Sequence, residues 1–70
     1  MKKKTIFFLN GKKYYSNKNI NIKDILKYFN YNSSLLIVEH NYFIRNKKNW
    51  TKFIIKNNDK IEIISIVGGG

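Results

Sequence analysis

One short segment of this 70-residue chain carries the periodicity of an amphipathic helix, and it limits the folds open to the rest. Its apolar residues fall at i, i+3, i+4 and i+7: Ile22, Ile25, Leu26 and Phe29. Asn21 stands at the N-cap position, and the carboxylate of Asp24 can reach back to the cap. A single helix can cover one face of a sheet. The sequence therefore predicts an α+β fold with its second sheet face partly open.

The other apolar segments have the length and composition of strands. They are residues 5–9, 12–15, 35–38, 43–44 and 61–67. Asn10-Gly11 between the first two is typical of a type I′ hairpin turn, because both residues tolerate a positive φ. The apolar run 35–38 predicts a central strand, and 43–44 a short edge strand. Trp50, Phe53 and Ile55 are interpreted as core anchors, and Asn58 as a left-handed turn residue. We expect a mixed sheet of four to five strands with one crossover helix, and with the first and last strands adjacent at its centre.

The last strand is apolar on both sides. Ile61 and Ile63 point one way, whereas Ile64 and Ile66 point the other way. If the first pair faces the helix, the second pair is exposed, and an exposed apolar stripe on a small protein marks a partner surface. We therefore predict a docking face that consists of Phe8, Ile64, Ile66 and Val67.

The formal net charge of +10 first suggests a nucleic-acid partner. However, thirteen lysines, twelve isoleucines and eleven asparagines make up just over half of the chain, while alanine and proline are absent. These are the preferences of A- and T-rich codons, so mutational bias accounts for much of the charge. The lysines are also dispersed, and Arg45 is the single arginine. We expect no nucleic-acid partner, and a small basic RNA-binding domain remains the alternative from another class.

Composition also excludes several kinds of chemistry. Without cysteine, the chain has no disulfide, thiolate metal site, thiol nucleophile or persulfide of its own. The one histidine, His40, is predicted to lie in a surface loop, and Asp59 and Glu62 suggest no metal site. No apolar run approaches the roughly 18 to 20 residues of a membrane span, so we expect a soluble intracellular protein without a membrane partner. A domain of this size leaves little room for a catalytic pocket, so we expect a non-enzyme.

Glycine is concentrated at the C-terminus. Gly11 is the one glycine in the first 67 residues, yet the chain ends in Gly68, Gly69 and Gly70. A tail without Cβ atoms can thread a narrow channel and present its terminal carboxylate, which is ionised at neutral pH. As a nucleophile, that carboxylate can attack the α-phosphorus of ATP in a partner's active site, and the acyl group can then pass to sulfur, nitrogen or oxygen. We predict a domain over residues 1–67 and a flexible tail over residues 68–70.

The order of elements and the terminal glycines resemble the β-grasp, ubiquitin-like sulfur carriers, and in particular those of thiamine biosynthesis. The matching positions are residues 37–41, Ile44, Trp50, residues 59–63 and residues 67–70. This resemblance covers essentially the whole chain and implies a β-grasp fold.

The resemblance also implies a reaction cycle. An E1-like adenylating enzyme would activate Gly70 with ATP, with Gly68 and Gly69 as the threading tail. A cysteine desulfurase would supply the sulfur of a C-terminal thiocarboxylate, and thiazole synthase would accept it. The chain itself would bind no cofactor. The implied compartment is the cytoplasm, or the plastid stroma if the protein is organelle-encoded. A ubiquitin-like protein modifier and a molybdopterin-type sulfur carrier remain alternatives.

Overall fold

The computed structural model describes residues 4–66, apart from the side chain of Ser33. Val67 and the predicted glycine tail lie outside the described residues. The elements in chain order are β1 (Thr5–Leu9), β2 (Lys12–Ser16), α1 (Ile22–Tyr28), β3 (Leu36–His40), β4 (Phe43–Ile44) and β5 (Asp59–Ser65). Two short 3₁₀ turns, Ser33–Leu35 and Lys47–Asn49, lie in the connections.

The strands form one mixed sheet in the order β2-β1-β5-β3-β4. The first and last strands, β1 and β5, pair in parallel at its middle, and the other pairings are antiparallel. Asn10 and Gly11 turn the β1–β2 hairpin with φ values of 49° and 81°, as a type I′ turn requires. The predicted α+β class, the five-stranded mixed sheet and the central pairing are confirmed.

The prediction of a central strand over residues 35–38 is wrong in part. Leu35 belongs to a 3₁₀ turn and is 48% exposed. The Asn32 side chain caps this turn by accepting from the N–H of Ser34 at 3.2 Å, which delays the start of β3 until Leu36. The strand then lies between β5 and the two-residue β4, one place from the sheet edge. Val38 is its one fully buried apolar residue. Ile37 faces the uncovered side of the sheet, and Leu36, at the start of the strand, packs against the core but is only partly buried.

The helix begins with the predicted capping box. The N–H of Asp24 donates to Asn21 Oδ1 at 2.8 Å, and the N–H of Asn21 donates to Asp24 Oδ2 at 2.9 Å. The helix ends at Tyr28, and Asn30 follows with φ of 63°. Its apolar stripe packs into a core made up of Phe7, Leu9, Ile22, Ile25, Leu26, Val38, Trp50, Ile55, Ile61 and Ile63.

The irregular segment between β4 and β5 is anchored as predicted. Trp50 is 2% exposed, and its indole N–H donates to the carbonyl of Arg45 at 2.9 Å. The carbonyl of Phe53 accepts from Ile22 at 3.2 Å, and the N–H of Ile55 donates to Ile20 at 2.8 Å. These backbone bonds tie the segment to the start of the helix. They leave it on the helix side of the sheet, away from the opposite face.

Candidate functional site

The sheet face opposite the helix is not covered by any element within residues 4–66. Strand register and side-chain alternation place one set of residues on this surface, which we call the open face. It comprises Ile6 and Phe8 of β1, Lys13 and Tyr15 of β2, Ile37 and Glu39 of β3, Ile44 of β4, and Lys60, Glu62 and Ile64 of β5, with Ile66 directly after.

The structure places the predicted docking residues unevenly on this face. Ile64 and Ile66 are 48% and 46% exposed, while Ile61 and Ile63 are buried, as the alternation along β5 predicts. Phe8 is half-buried and pairs with Lys60. Ile64 lies four residues further along β5, which is about 13 Å at the rise of a strand. Phe8 therefore lies outside the immediate patch around Ile64, and the docking role of these residues stays a prediction.

The neighbours of Ile64 were missed as docking candidates. Ile37 is its direct cross-strand partner, and Leu35 accepts a backbone hydrogen bond from Ile66 at 2.7 Å. Ile44, on β4, is 70% exposed. The continuous apolar run 35–38 gives no alternation that would separate Ile37 from its neighbours, so the sequence does not show that Ile37 faces the uncovered side. The apolar patch consists of Leu35, Ile37, Ile44, Ile64 and Ile66.

The open-face residues of β5 change from polar to apolar toward the C-terminus. The residues of β5 on this face run from Lys60 and Glu62 to Ile64, and Ile66 follows them. The polar end of the strand therefore comes first, and the apolar end is joined in sequence to the terminal glycines.

A second group of polar residues lies on the buried side of the sheet, where the prediction for His40 is wrong. His40 is the last residue of β3 and is 6% exposed, not part of a surface loop. Its Nε2 lies 2.7 Å from Asp59 Oδ2 at the start of β5, and its ring contacts Phe53 edge-on with centroids 6.0 Å apart. Pairing of β3 with β5 brings the two residues together from positions 19 apart in sequence.

Asp59 accepts two further hydrogen bonds. Asn41 Nδ2 donates to Oδ1 at 2.9 Å, and the N–H of Lys56 donates to Oδ2 at 2.8 Å. Burial raises the pKa of Asp59, but the bonds from Asn41, His40 and Lys56 outweigh burial and hold its pKa below the usual value. The carboxylate is buried and both of its oxygens are hydrogen-bonded, so a substrate has no access to it. We interpret the network as structural: it holds the start of β5 against the end of β3.

No metal centre is found in the part of the chain that the structure describes. No group of three or more histidine, cysteine, aspartate or glutamate side chains could hold a metal ion there. A groove of about 530 Å³ between β2 and α1 has aromatic side chains in its wall, among them Tyr14 and Phe29. The one carboxylate lining it, Asp24, is engaged in the helix cap. In residues 4–66, no helix has both the length and the apolar character needed to span a membrane.

Comparison with known proteins gives a consistent result. The sequence model described as "ThiS family" matches residues 7–70. A relative named uncharacterized protein ycf40 from Trieres chinensis is 62% identical over 64 residues, which cover 91% of this chain and 88% of the relative. A relative of the same name from Pyropia yezoensis is 32% identical over 62 residues, covering 89% of this chain and 87% of the relative.

The fold has also been seen in a solved structure. The crystal structure of thiamine biosynthesis protein ThiS from Geobacter metallireducens aligns with a TM-score of 0.80. The alignment covers 94% of this chain and 100% of the other, at 20% sequence identity. At this identity the likeness bears on the fold, and it is consistent with the β-grasp arrangement of one helix on a five-stranded mixed sheet.

Proposed function

The chain belongs to the ThiS family, and from this premise we propose that it carries sulfur as a thiocarboxylate on Gly70 and donates it for thiazole formation in thiamine biosynthesis. Family membership supports the general role of a small sulfur carrier that is not itself an enzyme. The observation that carries the proposal is the family match through residue 70, which includes all three terminal glycines.

The proposed cycle begins with activation of the terminus. An E1-like adenylating enzyme binds ATP, and a carboxylate oxygen of Gly70 attacks the α-phosphorus with release of pyrophosphate. The outer sulfur of a cysteine desulfurase persulfide then attacks the acyl carbon and displaces AMP, which leaves Gly70 joined to the desulfurase cysteine as an acyl disulfide. A thiol attacks the cysteine sulfur of this bond, so the C-terminal thiocarboxylate leaves and the two cysteine-side sulfurs form a disulfide. Thiazole synthase accepts the sulfur from the resulting thiocarboxylate. The chain supplies the reacting carboxyl group and binds no cofactor, while its partners supply the catalytic groups.

The domain contributes recognition in this proposal. The open face is apolar where β5 leads toward the tail, and Ile64 and Ile66 are each about half exposed there. Docking of the adenylating enzyme on this end, with Val67 and Phe8 as further contacts, would place Gly68 and Gly69 in its active-site channel. Since glycine has no Cβ, such a channel can be too narrow for any other residue.

Intact-mass measurement tests the proposal. The full chain is incubated with ATP, cysteine, the adenylating enzyme and the desulfurase of its host. We expect a mass gain equal to replacement of one oxygen by sulfur, confined to the C-terminal peptide. A variant lacking Gly70 should keep its fold and show no gain. Thiazole formation supported by that variant would rule out Gly70 as the residue that carries sulfur, and isopeptide conjugates to lysine in the host would instead favour a protein modifier.

We also propose the plastid stroma as the compartment. The Lys-, Ile- and Asn-rich composition is typical of A- and T-rich genomes, and the matching relatives from Trieres chinensis, Porphyra purpurea and Pyropia yezoensis share the name ycf40. Immunolocalisation of the protein in cells of its host tests this. Signal confined to the cytosol would contradict it.

A further inference from the structure

The free carboxylates of this basic protein are concentrated at one place. The chain has four acidic residues against fourteen lysines and arginines. Asp24 is used in the helix cap, and Asp59 is buried in the His40 network. Glu39 and Glu62 remain. Within residues 4–66, neither has a basic nitrogen within 4.0 Å.

The two glutamates lie directly opposite each other on β3 and β5. Residue pairs in an antiparallel ladder alternate between hydrogen-bonded and non-hydrogen-bonded pairs. The backbone bonds from Asn41 to Lys60 and from Ile66 to Leu35, each at 2.7 Å, show which pairs of β3 and β5 are hydrogen-bonded. Glu39 and Glu62 therefore form a hydrogen-bonded pair, with Cα atoms about 5.5 Å apart. Like charges directly opposite in a sheet destabilise the fold. The repulsion between the two carboxylates lowers the stability of the fold, and a lysine at either position would remove it.

Lysines near the pair do not neutralise it through direct contact. Lys60 lies two residues before Glu62 on the same face, but its Nζ is 3.4 Å from the hydroxyl of Tyr42 at the end of the sheet. Lys13 lies two strands away on β2. The carboxylates thus form the negative site of an otherwise basic open face.

Apolar side chains border the glutamates along both strands toward Ile64 and on the side of β4. Ile37 precedes Glu39 on the open face, Ile44 is its cross-strand neighbour, and Ile64 follows Glu62. A protein that covers this apolar patch also removes water from both carboxylates. Burying two unpaired negative charges is strongly unfavourable, so a partner that docks here must bring a positive charge to them.

We infer that the adenylating enzyme presents an arginine to the Glu39–Glu62 pair when it docks on the open face. A guanidinium suits this site better than an ammonium, because its planar set of donors can bond two carboxylates at once and is less strongly hydrated. The pair sets the register of docking, since it is the place on this face where a positive group is attracted. This inference rests on the proposed function, which supplies the partner.

The test compares two double variants that raise the net charge equally. Glu39→Gln/Glu62→Gln removes two negative charges from the open face. Tyr28→Lys/Thr51→Lys adds two positive charges at exposed positions, one on the helix and one in the segment on the helix side. Binding of the full chain to the adenylating enzyme of the same host is measured by titration calorimetry without ATP. The fluorescence of the buried Trp50 shows whether each variant is folded.

We expect the glutamine double variant to bind about tenfold or more weakly, and the lysine control to bind within about twofold of the unchanged protein. The affinity of the unchanged protein should also fall more steeply with salt than that of the glutamine variant. If the glutamine variant binds equally or more tightly, the pair takes no part in docking, while the proposed function stands. If the unchanged protein neither binds the enzyme nor gains sulfur mass, the proposed function fails and this inference fails with it.

Discussion

Replacement of Asp59 by asparagine tests the account of the buried network, because the shape is kept while one acceptor becomes a donor. If the new amide oxygen takes the place of Oδ2, it still accepts from His40 and from the N–H of Lys56. Its NH₂ group then faces Nδ2 of Asn41, a second donor. Asn41 cannot turn its amide over freely, since its Oδ1 accepts from the N–H of Lys60 at 2.8 Å. One bond is therefore lost, and the two that remain become neutral.

The magnitude follows from these three bonds. A hydrogen bond to a charged group contributes about 1.5–3 kcal/mol and a neutral one about 1 kcal/mol. Losing one bond and weakening two costs at least about 2.5 kcal/mol. An uncharged amide is easier to bury than a carboxylate, which offsets part of any larger loss, so the free energy of unfolding should fall by about 3 kcal/mol. A chain of this length has a total stability of about 4–10 kcal/mol, so Asp59→Asn should remain folded but be clearly destabilised.

Urea unfolding followed by the fluorescence of Trp50 measures this change. With a denaturant slope of about 1 kcal/mol per molar urea, the midpoint should fall by about 3 M. The matched control is Glu62→Gln, the same chemical change at an exposed position, which should shift the midpoint by less than about 0.5 M. A shift for Asp59→Asn no larger than that of the control would refute the reasoning.

Acid titration of stability provides a second check. Because the pKa of Asp59 is lowered in the folded chain, the unfolded chain binds more protons when the pH lies between the two pKa values. The contribution of Asp59 is complete above the unfolded pKa of about 3.9 and is lost as the pH falls through the folded pKa. Between pH 5 and pH 2, the unchanged protein should lose more stability than Asp59→Asn. Equal slopes would contradict the assignment.

Three further changes test the fold and its turns. Asn10→Ala removes the acceptor that binds the N–H of Ile63 at 2.8 Å and strains a turn with positive φ, so it should lower the free energy of unfolding by about 2 kcal/mol in thermal unfolding. Asn10→Gly keeps the turn and should lower it less. Asp24→Ala opens the capping box and should lower stability by about 1 kcal/mol by urea unfolding, and no change would contradict the cap. Ile61→Ala, at a position 1% exposed, should cost about 2–5 kcal/mol, visible as a much lower unfolding midpoint; a loss below about 1 kcal/mol would contradict its core position.

Several elements could be predicted because they depend on neighbouring residues. The apolar stripe and the Asn21–Asp24 box specify the helix within one or two turns of chain. The Asn10-Gly11 turn specifies the first hairpin. Asn58 is confirmed as a left-handed turn residue, with φ of 70°. The exposure of Ile64 follows from side-chain alternation, because Ile61 and Ile63 of the same strand face the helix.

The asparagines show where composition was a weak guide. Codon bias is consistent with their number, and the sequence predicts structural roles for Asn10, Asn21 and Asn58, but further asparagines are structural as well. Asn10, Asn41 and Asn57 accept hydrogen bonds from the backbone of Ile63, Lys60 and Ile6, each at 2.8 Å, and so extend the pairing of β5 with its neighbours. Asn46 caps the second 3₁₀ turn by accepting from Lys48 at 3.1 Å. Asn46 acts within its own turn, whereas the partners of Asn10, Asn41 and Asn57 lie 19 to 53 residues away in the chain, so these three bonds depend on the tertiary structure.

The sequence by itself determined the helix, its cap and the first hairpin turn, because each depends on residues that are adjacent in the chain. The tertiary structure decided which distant residues meet. Strand register placed His40 against Asp59 inside the molecule and Glu39 against Glu62 on its open face. A shift of one residue in the pairing of β3 with β5 would separate both pairs, because side chains alternate between the two faces. That register depends on the packing of the helix and both strands together, so it was not visible in any one segment.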